Sequence, residues 1–375
     1  MVNSPAHRLS SQHPAIDLPA LTLGHHPGVV SQHSEAACAR IVSAYRRSAA
    51  LQDQHTSTPD LWTGIVGGYL TGLIDELIAG ETRTLAKMFS SFGADYTWFG
   101  GITTGVDGFN HWDRDERMIA YTYFDQLVSL GEALSVLPAE NPEQGENGNW
   151  GKNIQRRPAD VVALIEDKLG ISIRPPIGIM PVSGIALDGG ALHYRHINAL
   201  YTAVRARDLT EPGDAISEYG GGLGLIALYL HRLGRTDYTL YDLPIVNALS
   251  AYFLIGALGD DAVCLEGEPQ KSNAVKIKIG ASCRHERDKA FALALNQDSF
   301  PEIDEAVVRA YLGEIWRTTT KYFLSINHEV EHAKTSDAKH LNVSTLLSTE
   351  AGFQRLYRMP YWLRRGYVEE LYAVR

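Results

Sequence analysis

The sequence predicts an α/β protein, with a mostly parallel sheet in its C-terminal half and a mainly helical region before it. Three observations carry this. From residue 215 onward, short apolar runs alternate with helical patterns, the signature of βαβ units on a parallel sheet. A glycine cluster, Gly220-Gly221-Gly222-Leu223-Gly224, stands at one of the strand-to-helix turns. Residues 34 to about 137 show apolar positions at helical spacing.

Taken in order, residues 1–33 are rich in His, Ser and Pro and lack apolar periodicity, so a poorly ordered arm or extended strap is expected. His7, His13, His25, His26 and His33 are irregularly spaced there and lack Cys or acidic companions, which favours a solvated arm over a metal site. Residues 34–185 read as a helical N-terminal domain. "SEAACARIVSAYRRSAAL" has Ser34 as a plausible cap. "TPDLWTGIVGGYLTGLIDELIAG" has Thr58 as cap, Pro59 in the first turn and Gly80 as stop. "DERMIAYTYFDQLVSLGEALSVL" places Phe124, Leu127, Val128 and Leu134 at helical spacing. Between these helices, "FGADYTWFGGITTG" is a Gly-rich loop that either faces substrate or packs Trp98 and Phe99 between helices. Residues 138–153 form the sharpest break, a polar loop, lid or linker. The helix "PADVVALIEDKLG" runs from Pro158 to Gly170, and "IRPPIGIMPVSG" reads as extended connector. "GGALHYRHINALYTAVRARDL" is an amphipathic helix leading into a domain of residues 186–375. There the strands "AISEY", "YTLYDLP", "AFALALNQD" and "KYFLSIN" alternate with the helices "LIALYLHRL", "IVNALSAYFLIGAL" and "EAVVRAYLGEIWRTT".

Composition narrows the function. Of 375 residues, 45% are hydrophobic and 21% charged, a globular balance sufficient for about two domains. Acids outnumber bases by 44 to 34, a formal charge of −10. Without a cationic surface, neither nucleic acid nor an anionic membrane is expected as the main partner. No stretch approaches the ~20 apolar residues that span a bilayer, and the N-terminus lacks a secretory layout. Cys38, Cys264 and Cys283 form no paired motif and read as reduced thiols, so a cytoplasmic location is expected. In that compartment the sequon at Asn342 carries no meaning.

The chemistry concentrates at the glycine cluster. Glycines permit left-handed backbone angles and let a ligand approach without a Cβ in the way. Glu218 ends the strand before them, and Asp242, eighteen residues after Gly224, ends the next strand, where a carboxylate can accept both hydroxyls of an adenosine ribose. Two cofactors fit. Gly222-x-Gly224-x-x-Ala227 satisfies a dinucleotide fingerprint, but a carboxylate at Glu218 would repel a pyrophosphate. S-adenosylmethionine has no phosphate and carries a sulfonium and an ammonium, which an acid suits.

"ISEYGGGLGLIALYL…YTLYDLPIVNALSAYFL" resembles the first two motifs of the S-adenosylmethionine-dependent methyltransferases. With "LNQDSFPEI", "FLSINHE" and "FQRLYRMPYWLRRGYVEELY", the likeness is more narrowly to the sugar O-methyltransferases of bacterial polysaccharide and secondary-metabolite clusters. It covers roughly residues 185–375. The resemblance implies a Rossmann-like class I methyltransferase domain with a mostly parallel seven-stranded sheet. It also implies methyl transfer to a hydroxyl of a small-molecule acceptor, S-adenosylhomocysteine as product, and an N-terminal domain serving as acceptor lid, dimerisation element or both. The expected partners are that small molecule and a second copy of the chain or a biosynthetic partner protein.

The same resemblance implies that Glu218, Gly220, Gly222 and Gly224 shape the methionine and sulfonium pocket, and that Asp242 binds ribose with Leu243 beside the adenine. Asn296, Asp298 and Ser299 would end the fourth strand, facing cofactor and acceptor. A sugar hydroxyl is a poor nucleophile, so a general base is expected, His328 first and Asp298 second, with Glu302 or Glu329 orienting it. A divalent cation on Asp298, Glu302 and Glu329 is compatible with the sequence but not required by it. His193, Tyr194, Arg195 and His196 are further candidates for contacts to the cofactor carboxylate or the acceptor.

Two other readings stand beside this one. The fold could serve a non-methylating biosynthetic enzyme or a binding subunit, since folds do not dictate function. His328-Glu329-Val330-Glu331-His332 also matches the zinc-hydrolase pattern H-E-x-x-H, with His340 or Glu350 as third ligand. That pattern needs a helix to bring both histidines to one face, and the preceding "KYFLSI" is strand-like.

Overall fold

A computed structural model describes residues 20–52, 61–94, 102–105, 116–141, 151–330 and 340–375. They form two compact units: one comprises residues up to Val29, Ser90–Thr202 and Trp362–Arg365, and the other Val30–Phe89, Ala203–Tyr361 and Gly366–Arg375.

The first unit holds an antiparallel sheet of β1 (Leu23–His26), β2 (Val182–Leu187) and β3 (Gly190–Leu192). Residues 20–33, expected as the end of an arm or strap, thus include a strand, with His25 opposite Ser183 and His26 opposite Val182. Its partner lies far along the chain, so no local pattern announces it. Gly184 permits the close pass of β2 and β3, because a Cβ there would stand 2.3 Å from the Leu192 carbonyl carbon.

Residues 34–89, read from sequence as part of the N-terminal domain, belong to the second unit. α1 (Gln32–Leu51) is capped by Ser31, whose side chain accepts the Ser34 N–H at 3.1 Å. Ser34, the expected cap, instead returns the bond from the third helical position, accepting the Ser31 N–H at 2.9 Å. The single helix expected next is two, α2 (Leu61–Gly68) and α3 (Thr71–Ala79), parted just after Gly67-Gly68, where glycine weakens helix. Thr58 and Pro59 lie outside the described residues. Gly80, at φ +83°, stops α3 as expected. α4 (Thr82–Ser91) was not anticipated.

In the first unit follow α5 (Glu116–Ala133) and α6 (Pro158–Leu169), the latter bounded by Pro158 and a left-handed Gly170 as read from sequence. Trp98 and Phe99, and residues 142–150 of the polar break, are outside the described residues. α7 (Tyr194–Asp208) contributes residues to both units.

The large sheet belongs to the second unit. Along the chain it runs β4 (Ile216–Tyr219), α8 (Leu225–Arg232), β5 (Tyr238–Asp242), α9 (Pro244–Leu258), β6 (Val263–Cys264), β7 (Val275–Ile279), β8 (Phe291–Gln297), α10 (Glu305–Thr318), β9 (Thr319–His328), α11 (Val343–Ser348), β10 (Phe353–Pro360) and β11 (Tyr367–Val374). The strand order is β10-β11-β9-β8-β4-β5-β7-β6, parallel except for β11, which is antiparallel to both its neighbours. The sheet is mixed and mostly parallel, as expected, with eight strands rather than seven because two-residue β6 adds an edge.

β7 escaped the sequence reading because Lys276 and Lys278 interrupt its apolar run. Both are 9% exposed and are neutralised by Asp237 and Glu286. On the same face of the sheet, Tyr219, Phe300, Phe323 and Tyr372 pack with Val308, Leu312 and Ile315 of α10. Asn342, whose sequon was set aside, caps α11 by accepting the Thr345 N–H at 3.1 Å. The three cysteines are buried and free, and burial pushes Cys38 and Cys283 up to about 12, which keeps them as thiols. Among the described residues no helix is long and apolar enough to cross a membrane.

Candidate active site

Chain order turns back at β4: β5 and β7 extend the sheet to one side, β8 and β9 to the other. Crevices form at the strand C-terminal ends at such a reversal. Gly220, Gly222 and Gly224 cross this point at φ +76°, +54° and +79°, a region that side-chain-bearing residues rarely occupy. A Cβ on Gly220 would fall 2.0 Å from Ser299 Oγ, and one on Gly224 would fall 2.7 Å from Leu254. The turn is therefore shaped both by backbone angle and by the neighbours it touches. Gly224 caps α8, whose first turn presents unpaired N–H groups and the positive end of the helix dipole.

Asp242 closes the turn from β5. One carboxylate oxygen accepts the Gly222 N–H at 2.9 Å, the other the N–H of Leu243 at 2.7 Å. Glu218 lies beneath the same turn, 2% exposed, and accepts the Tyr238 hydroxyl at 2.5 Å. No basic side chain among the described residues pairs with either acid, so burial disfavours their charged forms. Burial pushes Glu218 up to about 7; the Tyr238 bond opposes the rise and the Asp242 charge adds to it. Asp242 keeps part of its surface open, yet the protein packed around it pushes its carboxyl up to about 7, against the pull of the Leu243 and Gly222 N–H groups. Tyr238 is the partner that sequence reasoning missed, though its place four residues before Asp242 on an expected strand was a usable signal.

On the other side of the reversal, Asn296 donates to the Tyr219 carbonyl at 2.8 Å and to Ser299 Oγ at 2.6 Å, tying β8 to β4. Asn327 of β9 donates to Asn296 Oδ1 at 2.8 Å. Asn296 and Ser299 thus brace the glycine turn from behind.

The residues proposed for catalysis form a second group at the ends of β8, β9 and β11. Asp298 sits at φ +57°, an uncommon angle for a residue with a side chain, and its Oδ1 accepts the Tyr367 hydroxyl at 2.6 Å. Tyr367 is opposite His328 across β11 and β9, their rings edge to face at 5.6 Å. The Val330 N–H donates to His328 Nδ1 at 3.3 Å, so a neutral His328 ring carries its proton on Nε2, 3.0 Å from His340 Nδ1. Glu329 is held by Arg358 through two bonds of 2.9 and 2.6 Å, which keeps its carboxyl below the usual range.

His328 is the last residue of strand β9, not part of a helix, so the H-E-x-x-H geometry of a zinc hydrolase is missing at its first histidine. His332 lies outside the described residues, and Glu350 pairs with Arg309 at 2.8 Å. Among the described residues no three His, Cys, Asp or Glu side chains could hold a metal ion together.

His193, Tyr194, Arg195 and His196 belong to the first unit. His193 and His196 are fully buried, and His193 packs with Tyr123 and Tyr194 at 5.1 and 4.6 Å in an aromatic cluster of the first unit.

No protein-family model matches the chain, and no curated protein does. Solved structures resemble about half of it. One is the PH0226 protein from Pyrococcus horikoshii OT3, with 10% identity, 48% of this chain and 90% of that one covered, and a TM-score of 0.38. Another is the mitomycin 7-O-methyltransferase MmcR, with 16% identity, 48% and 56% coverage and a TM-score of 0.35. A third is the glycopeptide N-methyltransferase MtfA complexed with S-adenosyl-L-homocysteine, with 15% identity, 48% and 89% coverage and a TM-score of 0.35.

Proposed function

We propose that the chain is an S-adenosylmethionine-dependent methyltransferase acting on a hydroxyl of a small molecule, a sugar or a sugar-bearing secondary metabolite. The observation that carries this is the pair of acids at the glycine turn, Glu218 and Asp242, neither neutralised by a basic side chain. A site with two such acids favours a cation and disfavours a phosphate, which sets a sulfonium cofactor above a dinucleotide. The residues fit that cofactor. The left-handed glycines leave the turn without side chains, and Asp242 stands at the strand end where a ribose would lie.

When bound, the cofactor supplies an electrophilic methyl group. The chain's part is to hold a hydroxyl in line with it and to receive the hydroxyl proton; positioning supplies much of the acceleration. Asp298, oriented by Tyr367, and His328, oriented by Val330 and His340, are the groups at that edge of the sheet able to take the proton. The acceptor being a sugar, and a homodimer or biosynthetic partner completing the enzyme, both belong to this proposal.

Calorimetric titration tests it. S-adenosylmethionine and S-adenosylhomocysteine are expected to bind at one site per chain, and Asp242→Ala to weaken both by about 10- to 100-fold, as for a lost hydrogen bond to a charged group. Failure of both compounds to bind the folded protein overturns the reading.

A further inference from the structure

The two acids differ in what they face. Asp242 is held by backbone N–H groups and stands where the ribose would lie, a part of the cofactor that is the same before and after methyl transfer. Glu218 lies deeper, under Gly221, where an added Cβ would come 2.8 Å from its Oε2. From β5 it meets the Tyr238 hydroxyl and, further along, the Asp242 carboxylate. On β5 and β8 its register neighbours are apolar, Leu240 and Leu295, and the α8 residues Leu225 to Leu230 are buried and carry no charge. β4, β5 and β8 carry no basic residue, and those of α8, His231 and Arg232, lie in its last turn.

We propose that Glu218, paired with Tyr238, is the charge-balancing group of the site: it gives up a proton when the sulfonium docks and takes one back when methyl transfer leaves a neutral thioether. This rests on the cofactor reading above. The balance closes. The S–CH3 bond breaks with its electron pair left on sulfur, an O–CH3 bond forms on the acceptor, and the hydroxyl releases one proton. Before the step the sulfonium (+1) faces a Glu218 carboxylate (−1). After it, a neutral thioether faces a neutral Glu218 carboxylic acid, and one proton has been released while one has been taken up. The Glu218–sulfur pair thus keeps zero net charge throughout, as a low-dielectric interior favours. The Tyr238 hydroxyl makes the charged state reachable, because it donates to the carboxylate but can turn to accept from the acid. The rise of Glu218 to about 7 places the exchange within the physiological range.

The test compares S-adenosylmethionine with S-adenosylhomocysteine by calorimetry in phosphate and in Tris, whose ionisation enthalpies differ, so that protons released on binding are counted. Ribose, adenine and ammonium are common to both ligands, and the difference isolates the sulfonium. Between pH 6 and 7, S-adenosylmethionine is expected to release about half to one proton more than S-adenosylhomocysteine, and its Kd to tighten by up to about tenfold more per pH unit. Glu218→Gln should erase the difference. Tyr238→Phe removes the donor that favours the carboxylate, so it should move the difference to higher pH; this variant decides the matter if Glu218→Gln does not fold. Equal proton release by the two ligands, with both bound, overturns this inference and leaves the methyltransferase reading standing. Binding of neither overturns both.

Discussion

Glu218 makes the clearest stability prediction. Its folded pKa of about 7 stands above an ordinary carboxylate value of 4.5, so between those values the folded state holds more protons than the unfolded one. Stability therefore falls as pH rises from about 4.5 through about 7, and the loss is complete above that window. Glu218→Gln keeps an acceptor for Tyr238 and escapes this loss. It is expected to be more stable than the wild type at pH 8, by on the order of 3 kcal/mol at most, and no more stable below pH 4.5. Thermal melts across that range would show it, and a constant difference at every pH would contradict it. Gly220→Ala acts differently: at φ +76°, with Ser299 Oγ in the space of the new Cβ, it should lower stability by about 1–3 kcal/mol in urea titrations. The glycines and both acids were legible because their chemistry is local, one turn and one strand end. Tyr367 was not, nor were the pairings of Tyr238 with Glu218 and of His340 with His328, because each depends on a partner that the fold brings to it.

At the scale of elements, α1 is the instructive case. It lies far from the large sheet in sequence but packs on α9 of the same unit. Arg40 fastens it, donating to both oxygens of Glu268 at 2.8 and 2.9 Å, to Asp260 at 2.8 Å and to the Val263 carbonyl at 2.9 Å. The arginine is about a quarter exposed, so the network is only partly screened. Arg40→Ala is expected to destabilise the unit by about 1–2 kcal/mol, read as a lower urea midpoint. An unchanged midpoint would show that apolar packing alone holds α1. The helix itself was plain from its periodicity, and its cap was misplaced by three residues because Ser31 and Ser34 both fit the motif. The closing hairpin, β10 and β11, drew notice as a family likeness rather than as strands. Its pairing with β9 is antiparallel within an otherwise parallel sheet, which alternation of strand and helix does not foretell.

For the molecule as a whole, the strand order brings the ends of β4, β5, β8 and β9 to one edge, and with them the glycine turn, the acids and the His328 group. The zinc reading loses its footing here, since His328 ends a strand. Protein dialysed against EDTA is accordingly expected to bind S-adenosylhomocysteine as tightly as untreated protein, by calorimetry. A large loss of affinity that returns with added metal would reopen the question of a metal in the cofactor site.

By itself the sequence determined the α/β class, most strands and helices of the C-terminal half, and a glycine turn flanked by acids. These follow from periodicity, glycine geometry and charge, all of which act over a few residues. Tertiary structure decided which stretches share a compact unit, which way β11 runs, and which side chains answer Glu218, Asp298 and His328. Such pairings join residues up to 228 positions apart, as Arg40 and Glu268 do, and depend on how the elements pack rather than on any local pattern.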